Sequence, residues 1–194
     1  MDTSQTSSPS WDQLFDIAAA QSGHFTTQQA AEAGYSPQLL AHHLGNGKIF
    51  RVRRGIYRLT HYPADEHEEL VVIWLWSEQQ GVFSHQTALS LHQLSDALPA
   101  GIEITLPASW RKRRLRTPSG VTTYYADIKP EEREWFGPVP VTSPARTLRD
   151  CALADLSLEL LRQATHEALE RGFVSKTELE EVLSVLEPFG GLMP

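Results

Sequence analysis

Apolar residues recur at helical spacing from the start of the chain. Trp11, Leu14, Phe15, Ala18 and Ala19 fall at i, i+3, i+4, i+7 and i+8 behind Ser10-x-x-Gln13, a capping-box pattern, and Gly23 ends the run. A second box, Thr26-x-x-Gln29, predicts a short helix through Ala33 that stops at Gly34. In the third segment Ser36 is a good N-cap, Pro37 suits the first helical position and Tyr35 can staple onto Leu40. Leu39, Leu40 and Leu44 then share an inner side, leaving Gln38, Ala41, His42, Gly45 and Asn46 outward. After the Gly-Asn-Gly break the pattern changes to alternation, and Phe50–Leu59 reads as a two-stranded ribbon turning at Arg54-Gly55. A two-residue turn sets Phe50 opposite Leu59, Val52 opposite Tyr57 and Arg51 opposite Arg58. One face is then wholly apolar (Phe50, Val52, Tyr57, Leu59), and the other carries Arg51, Arg53 and Arg58.

Beyond His61 the composition shifts. HYPADEHEE is a polar joint, and LVVIWLWSEQQG predicts a helix buried around much of its surface, with Trp74 and Trp76 in the core. Ser84 caps a following helix. Strands are expected in Gly101–Pro107, in Thr117–Ile128 after a turn, and in Val139–Thr142. Ser143 and Pro144 open the next helix, and amphipathic helices over Ser157–Arg171 and Ser175–Leu186 finish the chain. The fold class is α+β: an N-terminal winged helix-turn-helix over residues 10–62, then a mixed α/β domain with C-terminal helices over 63–194. Residues 1–9 form a disordered tail.

Charge sharpens this picture. The net charge of −7 argues against a wholesale nucleic-acid coat, but the charge is uneven. Residues 61–100 hold six acids and no Lys or Arg, whereas Lys48–Arg58 holds five bases and no acid, and Arg111–Arg116 five more. Like charges opposed in a ribbon repel, and a polyanion on that face relieves the repulsion. No apolar run is long enough to span a membrane, and MDTSQTSSPS lacks the apolar core of a secretory signal. Cys151 is the only cysteine, which excludes an internal disulfide framework and cysteine-rich zinc patterns; a reducing cytoplasm fits.

In a winged helix-turn-helix the third helix enters the major groove and the wing touches the backbone or minor groove. Gln38 is suited to adenine edges, with His42 and Asn46 as further base readers. Thr27 and Gln28, starting the second helix, are candidates for phosphate contact, while His43 is a partly buried filler. Lys48, Arg51, Arg53, Arg54 and Arg58 form the wing's basic set. Arg111, Lys112, Arg113, Arg114 and Arg116 form either a second patch for phosphates or RNA, or a solvated loop.

Enzymatic readings are weak. Asp127-Ile-Lys129 matches half of a metal-dependent nuclease site but lacks its context, and neither His61/His67 nor His85/His92 has convincing zinc spacing. No phosphate-cradling glycine loop is present. No catalytic residue, cofactor or metal is expected.

Three stretches resemble antitoxins of the AbiEi family from bacterial type IV toxin–antitoxin systems. They are GHFTTQQAAEAGYSPQLLAHHLGNGKIFRVRRGIYRL, FSHQTALSLHQL (Phe83–Leu94), and the run from ITLPASWRKRRLR to VPVTSPARTLRDCA (Ile104–Ala152). The resemblance implies a winged-helix DNA-binding domain joined to an α/β domain, with autorepression at operator inverted repeats. It implies a nucleotidyltransferase-like toxin as genetic partner, without a stable complex. By the same resemblance Lys48, Arg51, Arg53, Arg54 and Arg58 contact double-stranded DNA, and the basic run after the strand adds contacts. Two alternatives stay open: an antitoxin that binds and blocks its toxin directly, and a solitary winged-helix regulator.

Overall fold

The computed structural model describes residues 8–96, 99–154 and 156–192, so most of the tail expected over residues 1–9 lies outside the described residues. The chain is α+β with two sheets and divides into two compact units, residues 1–79 and 80–194.

In the first unit, α1 (Trp11–Ala19), β1 (His24–Thr26), α2 (Thr27–Glu32) and α3 (Pro37–Gly45) are followed by β2 (Ile49–Arg53), β3 (Ile56–Leu59) and α4 (Glu68–Trp76). The helix starts follow local chemistry. Ser10, Thr26 and Ser36 each accept a hydrogen bond from the backbone N–H three residues on, and Thr26 and Gln29 complete a reciprocal capping box. Leu14, Ala18, Phe25, Ala30, Tyr35, Leu40, Ile49 and Leu59 bury together, about 1.5–3 kcal/mol for each large side chain. The polar joint is drawn into this unit because α4, apolar nearly all round, packs on β1 and β3. Three side-chain amides, Gln21, Gln29 and Gln79, bond one another and link the ends of α1, α2 and α4. The order of elements fits a winged helix.

The hairpin departs from the expected pairing. Ile49 pairs with Leu59, Phe50 with Arg58 and Arg51 with Tyr57; Val52 then forms a bulge, and Arg53 pairs with Ile56. One extra residue shifts register by one, and in a strand that turns every side chain before the bulge to the opposite face. Gly55 takes a left-handed conformation (φ 77°) while Arg54 does not, so the turn lacks the two left-handed residues of a type I′ hairpin. The bulge accommodates the twist instead. A further strand, β1, pairs with β3, giving the order β1-β3-β2.

The faces are therefore rearranged. Ile49, Tyr57, Leu59 and Phe25 close the core, with the Phe25 and Tyr57 rings stacked at 5.8 Å. His24, Arg58 and Phe50 form the next row across the three strands. Phe50 and Val52 are 42% and 40% exposed, so they do not seal the core, and Arg51, Arg53 and Arg58 do not share one open face.

The second unit is built on the strand order β6-β5-β4-β8-β7, from β4 (Val82–Phe83), β5 (Ile102–Leu106), β6 (Val121–Tyr125), β7 (Arg133–Phe136) and β8 (Val139–Thr142). β5/β6 and β4/β8 are parallel, while β4/β5 and β7/β8 are antiparallel. α5 (His85–Leu91), α6 (Pro144–Leu153), α7 (Leu158–Glu170) and α8 (Glu180–Leu186) supply a second core around Leu89, Leu148, Leu161, Ala164, Val182 and Leu186. The last predicted helix starts late: Thr177–Leu179 is a 3-10 turn, and α8 follows it.

Ser84 precedes α5 without capping it through its side chain. Its hydroxyl lies 2.8 Å from His85 Nδ1 and accepts from Thr105 Oγ1 at 2.8 Å, while His85 adopts φ 53° and stacks on Tyr124 at 3.5 Å. Thr87 Oγ1 accepts the Glu103 N–H, and His92 Nε2 donates to the Thr142 carbonyl. Thr147 Oγ1 in turn donates to that same carbonyl. Ser143 caps α6, and Arg146 bridges Glu132 and Asp150. The two quoted motifs of this unit thus read as a hydrogen-bonded clasp between sheet and helices.

Candidate nucleic-acid interface

The outer face of α3 is polar and open. Gln38, Ala41, His42, Gly45 and Asn46 are all exposed. Asn46 Nδ2 lies 2.8 Å from His42 Nε2, a spacing of one helical turn that joins the two groups. With the amide donating, the imidazole keeps Nδ1 as its free donor.

His43, one residue on, turns toward the inner side. Its ring lies 5.6 Å from Trp11 and 5.6 Å from Tyr35, and burial, followed by the charge of Lys48, holds its pKa below the usual imidazole value. It serves as a partly buried filler. Lys48 stands over the Trp11 ring at 5.6 Å, an anchor that sequence reasoning missed, since Trp11 lies 37 positions earlier.

On the hairpin Arg51, Arg53 and Arg54 are exposed, and Arg51 Nε reaches the Arg53 carbonyl at 3.4 Å. The Thr27 N–H donates to the Gly55 carbonyl at 2.9 Å, so the start of α2 is tied to the hairpin turn. Gln28 is exposed and donates to Glu32.

Arg58 stands apart. Its side chain is 9% exposed, pairs with Glu68, and donates to the carbonyls of Leu59, Tyr62 and Pro63. It keeps the face opposite Tyr57 and Leu59 that alternation predicts, but α4 packs over that face and Glu68 engages it, so it is removed from the open basic set. Lys48, Arg51, Arg53 and Arg54 remain.

In the second unit the basic run forms a 3-10 turn (Ala108–Lys112) and an extended segment. Arg111, Lys112, Arg113, Arg114 and Arg116 are exposed; Arg111 donates to the Tyr125 carbonyl and Arg113 lies 4.2 Å from the Trp110 ring. Asp127 accepts the Ala108 N–H that begins this turn, and Lys129 N–H donates to Glu132, so the Asp-Ile-Lys segment is engaged in local capping. Among the described residues no three His, Cys, Asp or Glu side chains gather as a metal-binding group, and no helix is long and apolar enough to cross a membrane.

Comparison with known proteins gives two findings of unequal weight. Among solved structures, the RV2827C protein from Mycobacterium tuberculosis is similar over 92% of this chain and 76% of that one, at 15% identity and a TM-score of 0.42. No curated protein matches the chain. Residues 12–60, which carry α1 to β3, match the family model described as transcriptional regulator, AbiEi antitoxin. By that match the N-terminal segment is similar to the AbiEi antitoxin family of transcriptional regulators.

Proposed function

We propose that the protein is the antitoxin of a type IV toxin–antitoxin operon and represses that operon by binding double-stranded DNA at operator inverted repeats. In this reading the unit works as a winged helix. α3 enters the major groove, where Gln38, His42 and Asn46 meet base edges, while Lys48, Arg51, Arg53 and Arg54 hold phosphates. Thr27 and Gln28 flank that surface, and Arg111–Arg116 add phosphate contacts from the second unit. The genetic partner is a nucleotidyltransferase-like toxin that forms no stable complex with it, and the compartment is the cytoplasm.

One observation carries the proposal: an open, amide- and imidazole-bearing helix face and four exposed cations occur within the segment that matches a regulator family. The acidic remainder of a chain with net charge −7 limits indiscriminate binding. The test is fluorescence anisotropy of the intact chain with the DNA upstream of its own gene, across a salt series. Four phosphate contacts give log K against log salt a slope of about −3.5, and four more from Arg111–Arg116 bring it to about −7. A salt-independent signal, or equal affinity for unrelated DNA, overturns the reading.

A further inference from the structure

The sheet of the second unit ends on one side at β6, which pairs with β5 and, among the described residues, with no strand on its other side. An open edge is a template for another chain, and proteins ordinarily blunt it with charge, proline, a bulge or a cover. At the far edge β7 carries Arg133 and Glu134. β6 has none of these devices in its own strand: Val121–Tyr125 holds no charged residue and no proline, and its register with β5 is unbroken.

Which backbone groups stand open follows from parallel pairing, where alternate residues serve one neighbour. The Gly120 carbonyl accepts from Ile102, and the Ala126 N–H donates to Leu106. Residues 120, 122, 124 and 126 therefore bond β5, and Val121, Thr123 and Tyr125 turn their backbone groups outward. Two of those groups are already engaged. The Val121 N–H donates to the Pro118 carbonyl, and Arg111 donates to the Tyr125 carbonyl at 3.2 Å. What remains on the edge is a pair of donors, at Thr123 and Tyr125, and a pair of acceptors, at Val121 and Thr123.

This remainder is complementary to itself. With a second β6 laid antiparallel and Thr123 opposite Thr123, each Thr123 N–H meets the other Thr123 carbonyl, and each Tyr125 N–H meets a Val121 carbonyl. No open group is left over. The Val121 N–H and Tyr125 carbonyl would face each other across that seam, and they are the two groups satisfied within the chain. Side chains agree with the backbone: Val121 faces Tyr125, Thr122 faces Tyr124 and Thr123 faces itself, all pairings that favour a sheet.

Charge selects the same orientation. The basic run Arg111–Arg116 begins beside Tyr125, through the bond from Arg111. Antiparallel pairing carries the two Tyr125 ends away from each other, whereas parallel pairing sets the two basic runs side by side, where they repel.

We propose that β6 is the seam of a two-fold homodimer, in which the sheets of two copies of this chain join edge to edge into one continuous sheet. The contact is isologous, with Thr123 on the symmetry axis. It rests on the free edge of β6 and not on the DNA-binding reading.

The experiment is sedimentation velocity of the intact chain over a concentration series, where a monomer–dimer equilibrium is expected. Because residue 123 faces itself, Thr123→Lys and Thr123→Glu each oppose like charges and weaken the dimer by about tenfold or more, while an equimolar mixture of the two variants restores it. That restoration also shows both variants to be folded. Cross-linking gives a second measurement, since Cys151 is the only cysteine and is buried. Opposed residues of a hydrogen-bonded antiparallel pair have Cα atoms about 5.5 Å apart, within reach of a disulfide. Thr123→Cys should therefore join two copies on mild oxidation, and Thr122→Cys, which faces Tyr124, should do so about tenfold more slowly or less. A monomer at every concentration, an undiminished dimer in both charged variants, a mixture no better than either variant alone, or equal cross-linking at 122 and 123 overturns the proposal.

Discussion

Phe50 stands directly across the hairpin from Arg58, and its ring lies 5.7 Å from the guanidinium carbon. That pairing takes one arginine out of the basic ribbon and gives it a structural task. Arg58 joins β3 to the start of α4 through Glu68 and to the Tyr62–Pro63 backbone by hydrogen bonds. Removing it leaves a partly buried carboxylate and several carbonyls unmet. Arg58→Ala should therefore destabilise the first unit by about 2–4 kcal/mol, discounted from a fully buried pair because Glu68 is 28% exposed. Arg51→Ala and Arg53→Ala should stay within about 0.5 kcal/mol of the parent. Urea unfolding followed by tryptophan fluorescence separates them, and equal midpoints for all three variants contradict the assignment.

The same division sorts the arginines in DNA binding. Arg51→Gln, Arg53→Gln and Arg54→Gln should each reduce the magnitude of the salt slope by about 0.9, the release expected of one phosphate contact. Charge reversal across Arg111–Arg114 tests the second patch: an unchanged slope removes that run from the interface. Anisotropy titrations at four or more salt concentrations supply both measurements.

The parts legible in the sequence are those decided within a few residues. Ser10, Thr26 and Ser36 are caps because each hydroxyl reaches an N–H three positions on, and the outward face of α3 follows from its three inward leucines. The hairpin was legible in place but not in register. Its bulge at Val52 depends on the turn conformation at Arg54-Gly55 and accompanies pairing with β1, about 30 positions earlier. Arg58 has the face that alternation predicts, but α4 covers it, and nothing adjacent to Arg58 in the sequence signals Glu68. The two-residue strand Val82–Phe83 is too short to show a period, and Arg133–Phe136, with three of its four residues exposed, has no buried face to mark it. Ser84 looked like a cap because the pattern is right; its hydroxyl is instead engaged by His85 and Thr105.

The second unit should weaken as pH falls through the mild acid range. Burial, above all, lowers the His85 pKa to about 4, against the opposing pull of Glu103 and with a small further push from Arg146. Between 6.5 and 4 the unfolded chain binds a proton that the folded chain refuses. Stability is thus full above about pH 6.5 and declines as pH drops toward 4, with about 2 kcal/mol lost by pH 5 from this group. His85→Gln should flatten that dependence whatever it does to absolute stability. Urea titrations at pH 7.5 and pH 5 provide the comparison, and an unaltered pH dependence in the variant removes His85 as its source.

Cys151 offers a chemical clock for the same unit. Its side chain is 1% exposed on α6, within the cluster formed by Leu148, Leu161 and Val182, and burial pushes the thiol pKa up. The thiolate is the reactive form, and both its population and its access vanish in the folded state. Labelling by a disulfide reagent should therefore wait on opening of the helical core and report its free energy when reclosing outpaces reaction. Leu148→Ala, which leaves a cavity beside Cys151, should destabilise by about 2–5 kcal/mol. Labelling then accelerates by about 30-fold or more, since each 1.4 kcal/mol is tenfold in the open population. Leu153→Ala, on a side chain 74% exposed, should leave the rate unchanged. Native-state labelling as fast as in urea, or equal rates in both variants, places the thiol outside the protected core.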